Sequence, residues 1–143
     1  MRLWGHPIHP MLVHFPVAFW TVAAVAYVAA AAGVEDAAGV AKLSNGAGLV
    51  IAMLAMIAGF MDLRSIRGDA MRVAISHMMA MATAWFCFML TLVMTAGAGL
   101  ERSTAQFAGA ASASVGFLLM SIGGWLGGRL VYELGIGVAA REK

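Results

Sequence analysis

The stretch VAISHMMAMATAWFCFMLTLVMTAGAGL, residues 73–100, contains no Lys, Arg, Asp or Glu. A helix that crosses the hydrocarbon of a bilayer needs about 20 mostly apolar residues, and this stretch exceeds that length. Three further runs, 5–33, 43–61 and 103–128, are also free of these charged residues. The four runs predict four transmembrane helices, with spans at about 11–33, 43–61, 74–97 and 106–128.

The composition of the whole chain excludes several other classes of protein. Hydrophobic residues make up 62% and charged residues only 11% of the 143 residues, whereas soluble domains carry about 25% charged residues. A soluble protein of this size cannot bury so much apolar surface. The single cysteine, Cys87, excludes an intramolecular disulfide and a zinc site built from cysteines. The net charge of only +2, without a basic stripe, indicates no nucleic-acid binding.

The cationic residues predict the orientation of the spans. Four spans place both termini and the second connection on one side of the membrane. That side carries Arg2, Arg64, Arg67, Arg72, Arg129, Arg141 and Lys143. The opposite side carries only Lys42 and Arg102. Because cationic residues favour cytoplasmic connections, we expect both termini in the cytoplasm.

The connections between the spans predict the fold class. They are short, so successive helices are expected to be antiparallel neighbours. We therefore predict an all-α integral membrane protein, a single four-helix up-down-up-down bundle in which the two halves show no clear internal repeat. Small residues allow close helix contact in lipid, and the fourth span carries Gly123, Gly124, Gly127 and Gly128. These glycine faces indicate tight packing within the bundle or in a homo- or hetero-oligomer.

Histidines are concentrated at the predicted cytoplasmic end. The stretch HPIHPMLVHFP, residues 6–16, holds three of the four histidines and all three prolines. Pro16 removes a helix hydrogen bond and frees a carbonyl near Leu12. His14 is expected about one turn into span one and His77 about one turn into span three. Histidines at matching depth on two helices of a bundle suit bis-histidine ligation of a b-type haem, with His9 as the substitute ligand.

The same end also carries arginines that can pair with haem propionates. Met81, Trp85 and Phe88, which follow His77, are expected to form an apolar wall. The residues predicted to bind the cofactor are His14, His77, His9, Arg64, Arg67, Arg72 and Arg129. Arg129 and Glu133 are four residues apart, so they can also pair along one helix.

Two other interpretations of the histidines stay open. One is a transition-metal site for zinc, iron or copper, although the spacing matches no standard metal motif. Its candidate ligands are His6, His9, His14, His77, Asp62 and Glu133. The other interpretation assigns no cofactor: the histidines then anchor the N-terminal segment at the interface or bond across helices. No nucleophile motif or phosphate-binding loop is present, so a stand-alone enzyme is not favoured.

Several of these segments resemble a known family. HPIHPMLVHFP, Gly59 with Asp62, the His77 position and GWLGGRLVYELGIGV (residues 124–138) are similar to bacterial predicted membrane proteins grouped as "domain of unknown function 2231". The resemblance covers nearly the whole chain and implies a four-helix, multi-pass domain in the bacterial cytoplasmic (inner) membrane. Some members resemble redox partners, because they are fused to or stand beside electron-transfer domains.

These observations lead to three functional hypotheses. The first is a small electron-transfer protein with a b-type haem, working with quinone or with a respiratory or photosynthetic complex. The second is a cofactor-free accessory subunit of a larger membrane complex, packed through its glycine faces. The third is a histidine-based, transition-metal-binding membrane protein. In all three the bilayer is the immediate partner.

Overall fold

The fold consists of one tiny β-ladder followed by helices. The computed structural model describes residues 2–3, 6–97 and 99–138, with side chains from residue 8 onward within those ranges. Strands β1 (Arg2–Leu3) and β2 (His6–Pro7) pair antiparallel. The helices are α1 (Ile8–Leu12), α2 (His14–Ala31), α3 (Ala37–Leu63), α4 (Asp69–Thr95) and α5 (Arg102–Tyr132).

Four helical segments are long and apolar enough to cross a membrane. They are Ile8–Ala31, which joins α1 and α2, and then Ala37–Leu63, Asp69–Thr95 and Arg102–Tyr132. The closest packing is between consecutive helices, in the hairpins α2–α3 and α4–α5. Contacts of α2 with α5 and of α3 with α4 close the bundle. The predicted all-α, four-helix membrane fold is confirmed.

The last three helices extend beyond the charge-free runs of the sequence. Helix α3 includes Lys42 and Asp62, α4 begins at Asp69, and α5 contains Arg102 and Arg129. Charged side chains are tolerated in the end turns of a membrane helix because they reach the headgroup region. A span estimated from charge-free length therefore differs from the helix at its ends, as in α5, which covers 102–132 rather than about 106–128.

Pro16 explains why the first span is divided into α1 and α2. A proline at this position has no N–H to donate to the Leu12 carbonyl, and the regular helix is interrupted at Val13. The break is small, because the Val13 N–H still bonds to the His9 carbonyl at 3.2 Å and the Val17 N–H to the Val13 carbonyl at 3.3 Å. The span therefore continues past the proline.

Small residues lie inside the bundle and large apolar residues face outward. Ala23, Ala41, Ala84 and Ala113 are fully buried, whereas large side chains such as Val25, Phe86, Phe107 and Leu118 are exposed. This arrangement is unfavourable in water but suits lipid, where van der Waals packing of small residues holds helices together. The outward apolar side chains are the expected contact surface for acyl chains.

The centre of the bundle is a stack of two aromatic rings from different hairpins. Trp20 of α2 and Phe88 of α4 are fully buried, with ring centroids 4.6 Å apart and planes 9° from parallel. Next to this stack, Asn45 Nδ2 of α3 donates to the Phe88 carbonyl at 2.9 Å. Trp85 Nε1 of α4 donates to the Leu49 carbonyl at 3.1 Å. These contacts join the two hairpins.

The central stack leads to a first prediction. Substitution Trp20→Ala removes a fully buried ring and is expected to lower the free energy of unfolding by about 3–5 kcal/mol. The matched control is Trp125→Ala, since Trp125 is 64% exposed. That change should cost less than about 1 kcal/mol. Unfolding of both variants in mild detergent, followed by circular dichroism, measures the difference; equal losses would show that the stack does not support the bundle.

Candidate functional site

His9 lies against α3 near one end of the bundle. Its Nδ1 is 2.7 Å from the Ala55 carbonyl oxygen. A β-carbon added at Gly59, one turn further along α3, would lie 3.0 Å from both Nδ1 and Cε1 of the ring. The half-buried imidazole is thus placed directly on helix backbone. We call His9, the Ala55 carbonyl and Gly59 the His9 unit.

His77 of α4 lies against α5 in the same way. Its Nδ1 is 2.7 Å from the Gly123 carbonyl oxygen. A β-carbon added at Gly127 would lie 3.2 Å from its Cε1 and 3.3 Å from its Nδ1. His77, the Gly123 carbonyl and Gly127 form the His77 unit. Both units therefore combine an imidazole, a carbonyl that accepts from it, and a glycine one turn after that carbonyl.

The hydrogen bonds determine which ring nitrogen is available. A carbonyl oxygen only accepts, so each bond requires a proton on Nδ1. In the neutral imidazole this leaves the lone pair on Nε2. Histidines that bind metals through one nitrogen commonly donate from the other to a backbone carbonyl, which fixes the tautomer and raises the basicity of the ligand. Each unit has this bond.

The two units meet between the hairpins. The ring centroids of His9 and His77 are 6.3 Å apart, and the ring planes are almost perpendicular, at 88°. Two imidazoles that bind one metal ion at about 2.0–2.1 Å from each nitrogen have ring centres about 6 Å apart. The observed separation is close to this value, and it also lies in the 4.5–7 Å range of ordinary edge-to-face ring pairs.

The two units are related by an internal repeat. Each residue of the His77 unit stands 68 positions after its counterpart: 9 and 77, 55 and 123, 59 and 127. The central aromatic stack follows the same offset, with Trp20 and Phe88 as counterparts. Both hairpins have the same orientation, so this is a parallel repeat about an axis along the membrane normal. The expectation of no clear repeat holds for the sequence, where only eight of the 68 positions compared are identical, but the contacts of the rings with carbonyls and glycines recur at this offset.

The structure places the other predicted haem ligand elsewhere. His14 is the first residue of α2 and is exposed, whereas His9 is the residue beside His77. The prediction matched His14 to His77 by assuming that both lie about one turn into their helices. Because α4 begins at Asp69, His77 lies about 12 Å along it. His9 stands 68 positions before His77, just as Gly59 stands 68 positions before Gly127. This shared spacing is the signal in the sequence that pairs His9 with His77.

Of the predicted transition-metal ligands, His9 and His77 lie side by side, but no three of them form a group in the described part of the chain. No group of three His, Cys, Asp or Glu side chains among those residues is placed to hold a metal ion. Asp62 is half-buried at the end of α3, and Glu133 is at the C-terminal end of α5. The side chain of His6 lies outside the described residues. The structure thus assembles a pair of histidines.

The four predicted propionate-binding arginines lie around the end where the histidines are. Arg64, Arg67 and Arg72 are exposed at the α3–α4 connection, and Arg72 pairs with Asp69 at 3.0 Å. Arg129 Nε donates to Glu133 at 2.9 Å, so the predicted pairing along the helix is confirmed. The Arg129 guanidinium also lies over the Trp125 ring, 5.3 Å from its centroid. The four residues therefore lie in the end turns of α3, α4 and α5 or in the α3–α4 connection.

Comparison with known proteins agrees with the architecture. No curated protein and no solved structure matches the chain. The family model described as "Predicted membrane protein (DUF2231)" matches residues 5–140, nearly the full length. Together with the four apolar spans, this match identifies a multi-pass membrane protein. The chain belongs to the DUF2231 family of predicted membrane proteins.

Proposed function

We propose that His9 and His77 would hold the iron of a b-type haem and that the protein carries single electrons within the membrane. The observation that carries the proposal is the matched pair of Nδ1 hydrogen bonds, with the rings at the separation of two ligands on one metal. A bound haem supplies the one-electron chemistry of its iron. The polypeptide supplies the ligands, their orientation and the apolar surroundings.

The number of ligands favours haem over a bare metal ion. Zinc sites use three or four protein ligands, and the described residues assemble no such group. A haem brings the four nitrogens of its macrocycle, so the protein needs to add only axial ligands. Two histidines from two facing helices are sufficient for haem and insufficient for most ions.

The charges near the site are suited to a haem as well. Propionates are anionic and are commonly neutralised by arginine, which binds carboxylates through two parallel hydrogen bonds. Arg72 and Arg129 are engaged in exposed ion pairs with Asp69 and Glu133. Exposed pairs of this kind are weak, so either arginine can exchange its partner for a propionate at small cost.

The same proposal includes a location for the site. The residues at the histidine end include Arg64, Arg67, Arg72 and Arg129, whereas the opposite end has Lys42 and Arg102. Arg141 and Lys143, which also entered the prediction, lie outside the described residues. The bias supports cytoplasmic termini in a bacterial inner membrane, and a haem on the side that faces the cytoplasm. Its redox partner is then a quinone or a membrane-bound complex.

One observation favours a second candidate function. Each histidine already joins two segments by its Nδ1 bond, α1 to α3 and α4 to α5. Such bonds stabilise membrane helices by about 0.6–2 kcal/mol each. A cofactor-free accessory subunit, in which the histidines only fasten helices, uses the same geometry. The absorption spectrum of the purified protein separates the two functions.

The second prediction concerns this spectrum. Protein expressed with haem available is expected to contain about one haem per chain and to give the sharp reduced-minus-oxidised bands of a six-coordinate cytochrome. His9→Ala and His77→Ala should lose most of this haem, because each removes one axial ligand. His14→Ala is the matched control and should retain it, since His14 is exposed and the ring contact is between His9 and His77. Absorption spectra, haem assay and metal analysis on the same samples measure the outcome.

Further outcomes distinguish the alternatives. His9→Met keeps a ligand and should retain haem at a raised reduction potential, as thioether ligation does in cytochromes c. Loss of haem from His14→Ala but not from His9→Ala would reject the proposed pair. A wild-type protein that stays colourless when offered haem, with normal helix content by circular dichroism, would favour the accessory subunit.

The third prediction tests the orientation. In a Cys87→Ala background, Lys42→Cys is expected to react with a membrane-impermeant maleimide applied to intact spheroplasts. Arg67→Cys should react only after the membrane is permeabilised, because the α3–α4 connection faces the cytoplasm in the proposed topology. The two variants serve as controls for each other. Labelling of Arg67→Cys in intact spheroplasts would invert the topology and move the site to the outer side.

A further inference from the structure

Both candidate ligand rings lie on a glycine. An added β-carbon would approach the ring of His9 to 3.0 Å at Gly59 and the ring of His77 to 3.2 Å at Gly127. Carbon contacts at optimal separation are about 3.5–4.0 Å. An alanine at either position would therefore push the imidazole away from the helix by a few tenths of an ångström.

The position of each ring and its hydrogen bond depend on one another. In each unit the accepting carbonyl belongs to the residue four positions before the glycine, which is about one helical turn. The ring thus rests on the turn that begins at the carbonyl and ends at the glycine. Moving the ring outward lengthens the 2.7 Å contact between Nδ1 and the carbonyl oxygen and rotates Nε2.

Other glycines provide an internal comparison. Trp20 lies on Gly48 and Phe88 on Gly116, where an added β-carbon would approach the rings to 2.5 Å and 3.0 Å. Those glycines therefore support packing of the central stack. At Gly46 of α3 and Gly124 of α5, an added β-carbon would have no neighbouring atom within 4 Å. Helices α3 and α5 thus each contain one glycine under a histidine ring, one under an aromatic ring of the central stack, and one with open space beside it.

We infer that Gly59 and Gly127 are positioning residues, which hold the two imidazoles so that Nδ1–H bonds to the carbonyl and Nε2 is directed to the shared ligand. The inference rests on the proposed haem function and deepens it. Bonds from the second ring nitrogen raise the basicity of the ligand and stabilise the bound metal. Because the two units are equivalent in the repeat, each glycine acts on its own histidine.

The test compares glycine variants of the haem-loaded protein. Gly59→Ala and Gly127→Ala are expected to weaken haem binding by about 10- to 100-fold, the usual effect of losing an outer-shell partner. The reduction potential should rise, since a less basic imidazole stabilises ferric iron less. Valine at either position should enlarge both effects. Added imidazole should restore the six-coordinate spectrum by replacing the displaced histidine.

Controls separate positioning from packing. Gly46→Ala and Gly124→Ala should leave haem affinity and potential unchanged, because their added methyl groups meet no neighbour. Gly116→Ala, which crowds Phe88, should lower the thermal stability without shifting the potential. The inference is overturned if Gly59→Ala and Gly127→Ala have the same potential and haem affinity as the open-glycine controls.

A second readout works without haem. In 15N-histidine spectra of the haem-free protein, His9 and His77 are expected as Nδ1–H tautomers. Gly59→Ala should alter only the His9 signals and Gly127→Ala only those of His77. If the wild type binds no haem, the proposed function fails, and these spectra still decide whether the glycines position the rings. Unaltered signals in both variants would reject that role.

Discussion

The structure depends on rings that lie directly on the backbone of a neighbouring helix where there is no β-carbon. Trp20, Phe88, His9 and His77 each occupy such a position, over Gly48, Gly116, Gly59 and Gly127 respectively. In lipid, helices gain little from burying apolar surface, so close contact between backbone and side chain provides much of the cohesion. A glycine under each ring is what makes that contact possible.

These contacts are arranged in layers along one axis. His9 and Trp20 are eleven residues apart on the first span, and His77 and Phe88 are eleven apart on α4. Eleven residues of helix advance about 16 Å, just over three full turns, so both rings return to the same face of the helix. The aromatic pair therefore joins the two hairpins at the centre, and the imidazole pair joins them at a corresponding place nearer the end.

The sequence was informative about the spans and less so about the site. Charge-free runs indicate membrane helices because an unpaired charge in hydrocarbon is costly, and the four helices lie where those runs are. The positions of helix ends are less determined, since end turns tolerate charges such as Lys42 and Asp69. An uncertainty of about one turn is enough to pair His14 with His77 in a prediction, whereas the structure places His9 beside His77.

The repeat is difficult to detect in the sequence for a related reason. The eight identical pairs include His9, Gly48 and Gly59 with their counterparts, residues that the ring contacts require, while the remaining identities are Met, Val, Ala and Ser, which are common in membrane helices. Lipid-facing positions accept almost any large apolar residue, so the two halves can differ there without a change of fold. The two halves agree where a ring lies on a glycine. These positions are few and isolated, so a comparison of the two half-sequences gives them little weight.

The repeat is symmetric at the ligands and asymmetric around them. Positions 61 and 62 are Met and Asp in the first half, and their counterparts 129 and 130 are Arg and Leu. In the proposed function, two imidazoles that would hold the same iron make equal demands on both halves. A haem, however, carries both propionates on one edge, so it needs unequal surroundings. In the proposed function the matched histidines would hold the iron, and the unequal charges, with Arg129 where the first half has Met61, would favour one position of the propionates.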